Sequence, residues 1–111
     1  MYQLRKGLVE FCILLAVAEE KTYGYQLLQR LQDLPPLGFR AGTVYPALAR
    51  LIDGGLIRVA ARSSPLGPPR RYLSLTADGR QRLRHMRNEC LRVGASVTSL
   101  MPNAGPVDGD G

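Results

Sequence analysis

The sequence predicts a mainly α fold of the α+β class, in which one small domain is followed by a long helix. Three observations indicate this: apolar residues recur at helical spacing in the first half, two strand-like segments flank a turn-rich stretch, and a heptad repeat follows. The chain has 111 residues, 45% of them hydrophobic, which is enough for one core and too little for two domains. We therefore expect a domain over residues 1–75, a helix over residues 76–101 and a disordered tail over residues 102–111.

The first helix is predicted over residues 3–19. Its apolar side chains recur every three to four residues and fall on two faces. A helix that is apolar on two faces must be covered on two sides. We expect its own domain to cover one side and a partner subunit to cover the other.

The second helix is predicted to begin after Thr22, whose hydroxyl would cap it. A stretch rich in proline and glycine at residues 34–38 ends it. Its expected apolar face consists of Tyr25, Leu27, Leu28 and Leu31.

The third helix is predicted over residues 41–51. Gly42 and Thr43 open it, and a glycine pair at residues 54–55 ends it. Pro46 is expected in the first turn, where a missing N–H costs little because those donors have no partner within the helix.

Two short strands are predicted over residues 56–61 and 71–75. The stretch between them, residues 63–69, contains one glycine and three prolines and is interpreted as a loop. Together these segments predict a β-hairpin with an extended basic tip.

The last helix is predicted to begin after the capping residue Thr76, with Asp78 in its first turn. Apolar residues then recur at spacings of 3, 4, 3, 4 and 3, which is a heptad seam. A seam of this length is too long for the small domain to cover, so it indicates dimerisation. The seam consists of Leu83, Met86, Cys90, Val93, Val97 and Leu100.

The charge balance indicates an anionic partner. Lys plus Arg is 15 and Asp plus Glu is 9, which gives a formal net charge of +6. This balance excludes an acidic disordered protein and favours nucleic acid or an acidic membrane surface. Most of the cations are arginine, whose planar group binds phosphates and guanine edges bidentately, so nucleic acid is favoured.

The sequence offers little for catalysis or metal binding. It has two cysteines, Cys12 and Cys90, and one histidine, His85, with no ligand pair at metal-site spacing. It contains no paired carboxylates, no Ser/His/Asp set and no phosphate-binding glycine loop. We therefore expect no enzyme, no cofactor and no metal. Both thiols are interpreted as buried small hydrophobic side chains, with a redox switch through Cys90 as the alternative.

The sequence also argues against a membrane location. Its longest apolar run, residues 11–18, is far shorter than the roughly 20 residues of a spanning helix. Glu10 interrupts the stretch that a signal peptide would need, and cleavage after Ala18 would remove the first helix. We expect a cytoplasmic protein with reduced thiols.

The order helix, helix, helix, strand, basic loop, strand, long helix predicts a winged helix-turn-helix with a long C-terminal dimerisation helix. The third helix would be the recognition helix and the hairpin the wing. Arg62 precedes the predicted loop of the wing. The candidate contacts to double-stranded DNA are Arg40, Thr43, Tyr45, Pro46, Arg50, Arg70 and Arg71.

At these residues the sequence resembles the PadR family of bacterial transcriptional regulators. The most specific stretches are G-T-V-Y-P-A-L at residues 42–48 and R-Y-L-S-L-T-A-D-G at residues 71–79. Further matching stretches lie at residues 4–7, 12–15, 23–25, 51–57 and 67–70. The resemblance covers residues 4 to about 101 and matches the shorter form of the family.

The resemblance implies a homodimeric DNA-binding repressor whose first and last helices form the dimer interface. It also implies a small hydrophobic effector as a candidate ligand. The absence of Trp, with Met86 and Cys90 in the middle of the seam, argues against a site that stacks aromatic drugs. The expected interface consists of Leu4, Leu8, Phe11, Leu83, Met86, Cys90, Val93, Val97 and Leu100. The candidate effector groove consists of Leu8, Cys12, Met86, Cys90 and Val93.

These observations predict a repressor that binds a near-palindromic operator as a homodimer. Two alternatives stay open at this point. A winged helix can serve as a protein-interaction module whose basic face binds an acidic partner. It can also belong to a ligand or metal sensor of another winged-helix type.

Overall fold

The computed structural model describes residues 2–19 and 22–102, with side chains described from residue 6 onward. Within these residues, four helices and a three-stranded antiparallel sheet follow one another along the chain. The helices are α1 (Tyr2–Glu19), α2 (Gly24–Gln32), α3 (Ala41–Asp53) and α4 (Ala77–Leu100). The strands are β1 (Thr22–Tyr23), β2 (Ile57–Ser64) and β3 (Gly67–Leu75), in the order β1-β3-β2. This is the winged-helix architecture that the sequence predicts, with the long C-terminal helix present.

The core lies between α1, α2, α3 and the inner face of the sheet. Its fully buried side chains include Ile13 from α1, Leu27 from α2 and Val44 from α3. Phe39, in the segment between α2 and α3, is also fully buried and anchors that segment to the core. Leu73 and Leu75 close the core from β3.

The start of α2 differs from the prediction. Thr22 does not cap the helix, because it belongs to β1, pairs with Leu73 and is buried. Tyr23 is the N-cap residue, without a side-chain cap hydrogen bond. Tyr25 lies outside the core and is 60% exposed, so its assignment to the apolar face was wrong. Helical spacing alone could not reveal this, because pairing with a distant strand sets where α2 begins.

α3 begins at Ala41 as predicted, but the arrangement of its first two turns differs from the prediction. The N-cap residue is Arg40, whose carbonyl accepts hydrogen bonds from the N–H groups of Thr43 and Val44, both at 2.9 Å. Thr43 is therefore inside the helix, and Pro46 lies in its second turn rather than its first. A proline there removes the N–H that would bond the Gly42 carbonyl. The helix continues to Asp53, two residues beyond the predicted range, and the glycine pair ends it as predicted, since Gly54 is the C-cap and the next glycine has a positive φ of 76°.

The wing is longer and more regular than the predicted loop. Strand pairing continues to Ser64 opposite Gly67, so only two residues form the turn. The turn has Ser, Pro, Leu and Gly in sequence, which suits a type I turn with proline second and glycine fourth. A register irregularity between Arg62 and Ser64 accompanies it. The prolines favoured the prediction of a loop. The strand tolerates them because β1 pairs only with residues 72–73, which leaves one edge of β3 open further along the wing.

The junction before α4 is built as predicted. The Thr76 hydroxyl accepts a hydrogen bond from the N–H of Gly79 at 3.0 Å, which confirms the cap, and Asp78 lies in the first turn. The Thr76 N–H donates to the Leu56 carbonyl at 3.1 Å. Gly79 is buried against that same carbonyl.

The C-terminal half of α4 extends away from the domain. The helix has 24 residues, or about 36 Å. Leu83 and Met86 pack against the core, whereas every residue from 90 to 102 is exposed in the single chain. Residues 103–111 of the predicted tail lie outside the described residues. None of the helices in the described ranges is long and apolar enough to cross a membrane.

Candidate nucleic-acid interface

The outward face of α3 is built mainly from small residues. Val44, Ala47, Leu48 and Leu51 bury the inward face. Gly42, Pro46 and Ala49 are exposed on the opposite side, together with Tyr45 at 43% exposure. The small side chains of Gly42, Pro46 and Ala49 let this part of the helix approach another surface closely.

Arg40, Thr43 and Tyr45 lie beside these small residues. Arg40 and Thr43 are exposed at the N-terminal end, where a helix carries partial positive charge. Tyr45 lies over the start of α2, because a Cβ atom added at Gly24 would be 3.9 Å from its ring. The predicted residues of α3 therefore lie together on its exposed half.

Arg50 has a partner that the sequence does not reveal. Its guanidinium lies 3.9 Å from the carboxylate of Glu10 on α1, and the Arg50 side chain is 47% exposed. The pair is weak at this distance and exposure. It nevertheless connects α3 to α1.

The outer face of the sheet carries an ordered cluster of two tyrosines and two arginines. The Arg70 guanidinium lies 4.8 Å from the centre of the Tyr23 ring, and the Arg62 guanidinium lies 5.8 Å from that of Tyr72. The two rings meet edge to face with centroids 5.9 Å apart and an interplanar angle of 88°. We call Tyr23, Arg62, Arg70 and Tyr72 the Arg–Tyr cluster.

Arg70 and Arg71 do not share a face of the wing. Neighbouring side chains on a strand point to opposite sides. Arg70 lies on the side of Tyr72, whereas Arg71 lies on the side of Leu73, which is buried in the core. The sequence predicts both as DNA contacts but does not distinguish them. The alternation of Arg70 and Tyr72 is the signal that could have indicated the cluster.

Most arginines of this surface have no acidic neighbour among the described residues. Within the described residues, salt bridges join Arg30 to Glu19, Arg50 to Glu10 and Arg92 to Glu89. In that same part of the chain, Arg40 and the arginines of the wing have no carboxylate within 4.0 Å. The start of α3 and the wing therefore form a positively charged surface.

A second surface lies between α1 and α4. An open, mostly apolar groove of about 440 Å³ separates them. It contains Leu8, Met86, Cys90 and Val93 of the predicted effector groove, whereas Cys12 is not among its lining residues. Phe11 and His85, which were not predicted for the groove, also line it.

The two cysteines differ in their surroundings. Cys12 is half-buried and Cys90 is exposed in the single chain, so the expected burial of Cys90 in the seam between two subunits stays a prediction. Burial raises the pKa of the Cys12 thiol, and the nearby Cys90 raises it further. Where the structure is described, no group of three or more His, Cys, Asp or Glu side chains could hold a metal ion.

Three helices followed by a two-stranded wing define a winged-helix protein. The chain belongs to the transcriptional regulator PadR-like family, whose model matches residues 13–85.

Solved structures of this family superpose on nearly the whole chain. A PadR-like transcriptional regulator from Bacillus cereus is 32% identical, with a TM-score of 0.81 over 91% of this chain and 98% of that one. A transcriptional regulator from Streptococcus is 34% identical, with a TM-score of 0.79 over 88% and 96%. A PadR family transcriptional regulator from Eggerthella lenta is 27% identical, with a TM-score of 0.75 over 92% and 88%. No curated protein matches the chain.

Proposed function

We propose that the protein is a cytoplasmic transcriptional repressor that binds double-stranded DNA as a homodimer. Residues 1–75 form its DNA-binding domain and residues 76–101 its dimerisation helix. One observation carries the proposal: the arginines at the start of α3 and on the wing have no carboxylate neighbour among the described residues. DNA phosphates supply the missing negative charge.

In this proposal α3 enters the major groove and the wing contacts the flanking backbone. The small residues of α3 allow its backbone to approach the base edges. Arg40 and Thr43 contact the groove wall at the helix start, while Tyr45, Pro46 and Arg50 contact the groove along the helix. The wing arginines neutralise phosphates, so the affinity falls steeply with salt.

The homodimer follows from the exposed apolar side of α4. Val93, Val97 and Leu100 are 56%, 46% and 83% exposed in the single chain, on a helix that projects from its domain. These residues continue the heptad seam begun by Leu83 and Met86. We therefore expect α4 and α1 of a second subunit to pack against this seam. A two-fold axis then relates the recognition helices and favours a near-palindromic operator with half-sites about 34 Å apart.

The groove between α1 and α4 is the candidate site for a small hydrophobic effector. Its volume of about 440 Å³ falls in the range of small-molecule pockets. A ligand between the helices would rotate the subunits, change the distance between the recognition helices and release the operator. An inducer that left this distance unchanged in solution would contradict this mechanism.

The direct test is a binding titration with the full chain. DNA from upstream of the protein's own gene is compared with a scrambled fragment of equal length at two salt concentrations. We expect the specific fragment to bind on the order of 10³-fold more tightly, with affinity that falls as salt rises. Arg40→Ala should weaken binding, whereas Arg84→Ala, at an exposed arginine on α4, should not.

Two results would contradict the proposal. The first is equal, salt-sensitive affinity for both fragments and for duplexes enriched from a random pool. This result would show that the protein binds DNA without sequence specificity. Saturable binding to an acidic protein, without DNA binding, would favour the protein-interaction module.

A further inference from the structure

The Arg–Tyr cluster forms a continuous row on the outer face of the sheet. Arg70 lies over Tyr23, Tyr23 meets Tyr72 edge to face, and Tyr72 lies under Arg62. The row is built by strand register, because β1 places Tyr23 opposite Tyr72 and β2 places Arg62 opposite Arg70. Three strands that are distant in sequence thus contribute to one surface.

The row places two like charges opposite each other. Directly opposed cations on neighbouring strands destabilise a sheet. Here the described residues provide no carboxylate to compensate either arginine. Two adjacent arginines without a carboxylate partner in the protein can bind an anion from outside the chain.

The tyrosine rings determine how the arginines are presented. A guanidinium that lies against an aromatic face is held there by cation–π attraction, while its N–H edges stay available. Arg62 and Arg70 are exposed, and the tyrosines beneath them are only half-buried. The rings therefore reduce the rotamer freedom of the arginines without occupying the groups that bind phosphate.

We propose that Tyr23 and Tyr72 are positioning residues that hold Arg70 and Arg62 for contact with phosphodiester groups of DNA. This inference rests on the proposed DNA-binding function and adds which side of the wing meets the backbone. The contacting side is the outer face of the sheet, with Arg62 and Arg70. Arg71 lies on the opposite face and contributes little to phosphate binding.

The test uses variants of the full chain with the DNA fragment that the wild-type protein binds specifically. Tyr23→Leu removes the aromatic face but keeps an apolar side chain, and we expect it to weaken binding about two- to fivefold. Tyr23→Phe keeps the ring and should retain wild-type affinity. Arg70→Ala should weaken binding about tenfold, and Arg71→Ala by less than twofold.

Three further readouts separate positioning from a general structural role. Arg70→Ala should lower the slope of log affinity against log salt by about one, whereas Tyr23→Leu should leave that slope unchanged because the charge is still present. In a double-mutant cycle, Tyr23→Leu should have no further effect once Arg70 is replaced by Ala. The free protein should also show ring-current-shifted NMR signals of the Arg70 side chain that disappear in Tyr23→Leu.

Failure of this inference is distinguishable from failure of the proposed function. If the wild-type protein shows no DNA preference at all, the proposed function fails and this inference fails with it. If the wild type binds specifically but Tyr23→Leu binds equally well, only the inference fails. An effect of Arg71→Ala as large as that of Arg70→Ala would also overturn the assignment of the contacting face.

Discussion

The substitution Gly79→Ala tests how closely α4 approaches the rest of the domain. Gly79 is buried in the first turn of α4, and a Cβ atom at this position would overlap with the Leu56 carbonyl oxygen. It would also lie 3.0 Å from the carbonyl carbon of that residue. Both atoms belong to the backbone, so no side-chain rotation can relieve the contact.

The expected cost follows from three contributions. Overpacking a well-packed site costs about 1–3 kcal/mol. Displacing the Leu56 carbonyl also weakens its hydrogen bond from the Thr76 N–H, which contributes about 1 kcal/mol. Replacing glycine by alanine in a helix returns about 1 kcal/mol. We therefore expect a net loss of about 2 kcal/mol in the free energy of unfolding.

The assay is thermal unfolding followed by circular dichroism at a fixed protein concentration, since dimerisation makes Tm depend on concentration. A loss of about 2 kcal/mol corresponds to a decrease in Tm of about 8 °C. Gly42→Ala is the matched control, because a Cβ atom at that position in α3 meets nothing within 4 Å. It should leave Tm unchanged or raise it. A Tm of Gly79→Ala at or above the wild-type value would contradict the close approach of α4 to the Leu56 carbonyl.

The remaining predictions concern DNA binding, dimerisation and thiol chemistry. Arg50→Ala should weaken operator binding by roughly 1–3 kcal/mol. Glu10→Gln should strengthen binding severalfold because it frees Arg50 from its ion pair. Unchanged affinity of both variants in a fluorescence anisotropy titration would contradict the placement of α3. Val97→Glu should shift the protein towards monomer in sedimentation equilibrium, and an unchanged dimer would show that α4 is not the interface. In a Cys90→Ser variant, the pKa of Cys12, measured from the pH dependence of its alkylation rate, should lie above 9.0 but below its wild-type value. Burial still raises this pKa, whereas the contribution of the second thiol is gone. The raised pKa also means that ionisation of Cys12 opposes folding, so stability should fall as pH rises above about 9, and a pH-independent stability there would contradict it.

Elements with local signals were predictable from the sequence. The Thr76 cap needs only a hydroxyl ahead of a helix, and the end of α3 needs only a glycine pair, so both were predicted correctly. The long α4 was predictable because its seam persists over many residues.

Features that depend on distant pairing were not predictable in this way. β1 has two residues, and its pairing with β3 buries Thr22, which looks like a helix cap when only its neighbours are considered. The contact between Arg50 and Glu10 and the row formed by Tyr23 and Arg70 also join residues that lie far apart in the chain. The arginines could be named from composition and order, but their partners and their faces required the strand register.

Operator binding as a function of half-site spacing distinguishes a two-fold symmetric dimer from other modes of DNA binding. A specific duplex selected by the wild-type protein is compared with one that carries five additional base pairs between its half-sites. We expect two chains per duplex, half-sites about one helical turn apart and loss of specific affinity after the insertion, because the second α3 then faces the wrong side of the DNA. Equal affinity for both duplexes, or one chain bound per duplex, would contradict a two-fold symmetric dimer that recognises DNA through α3.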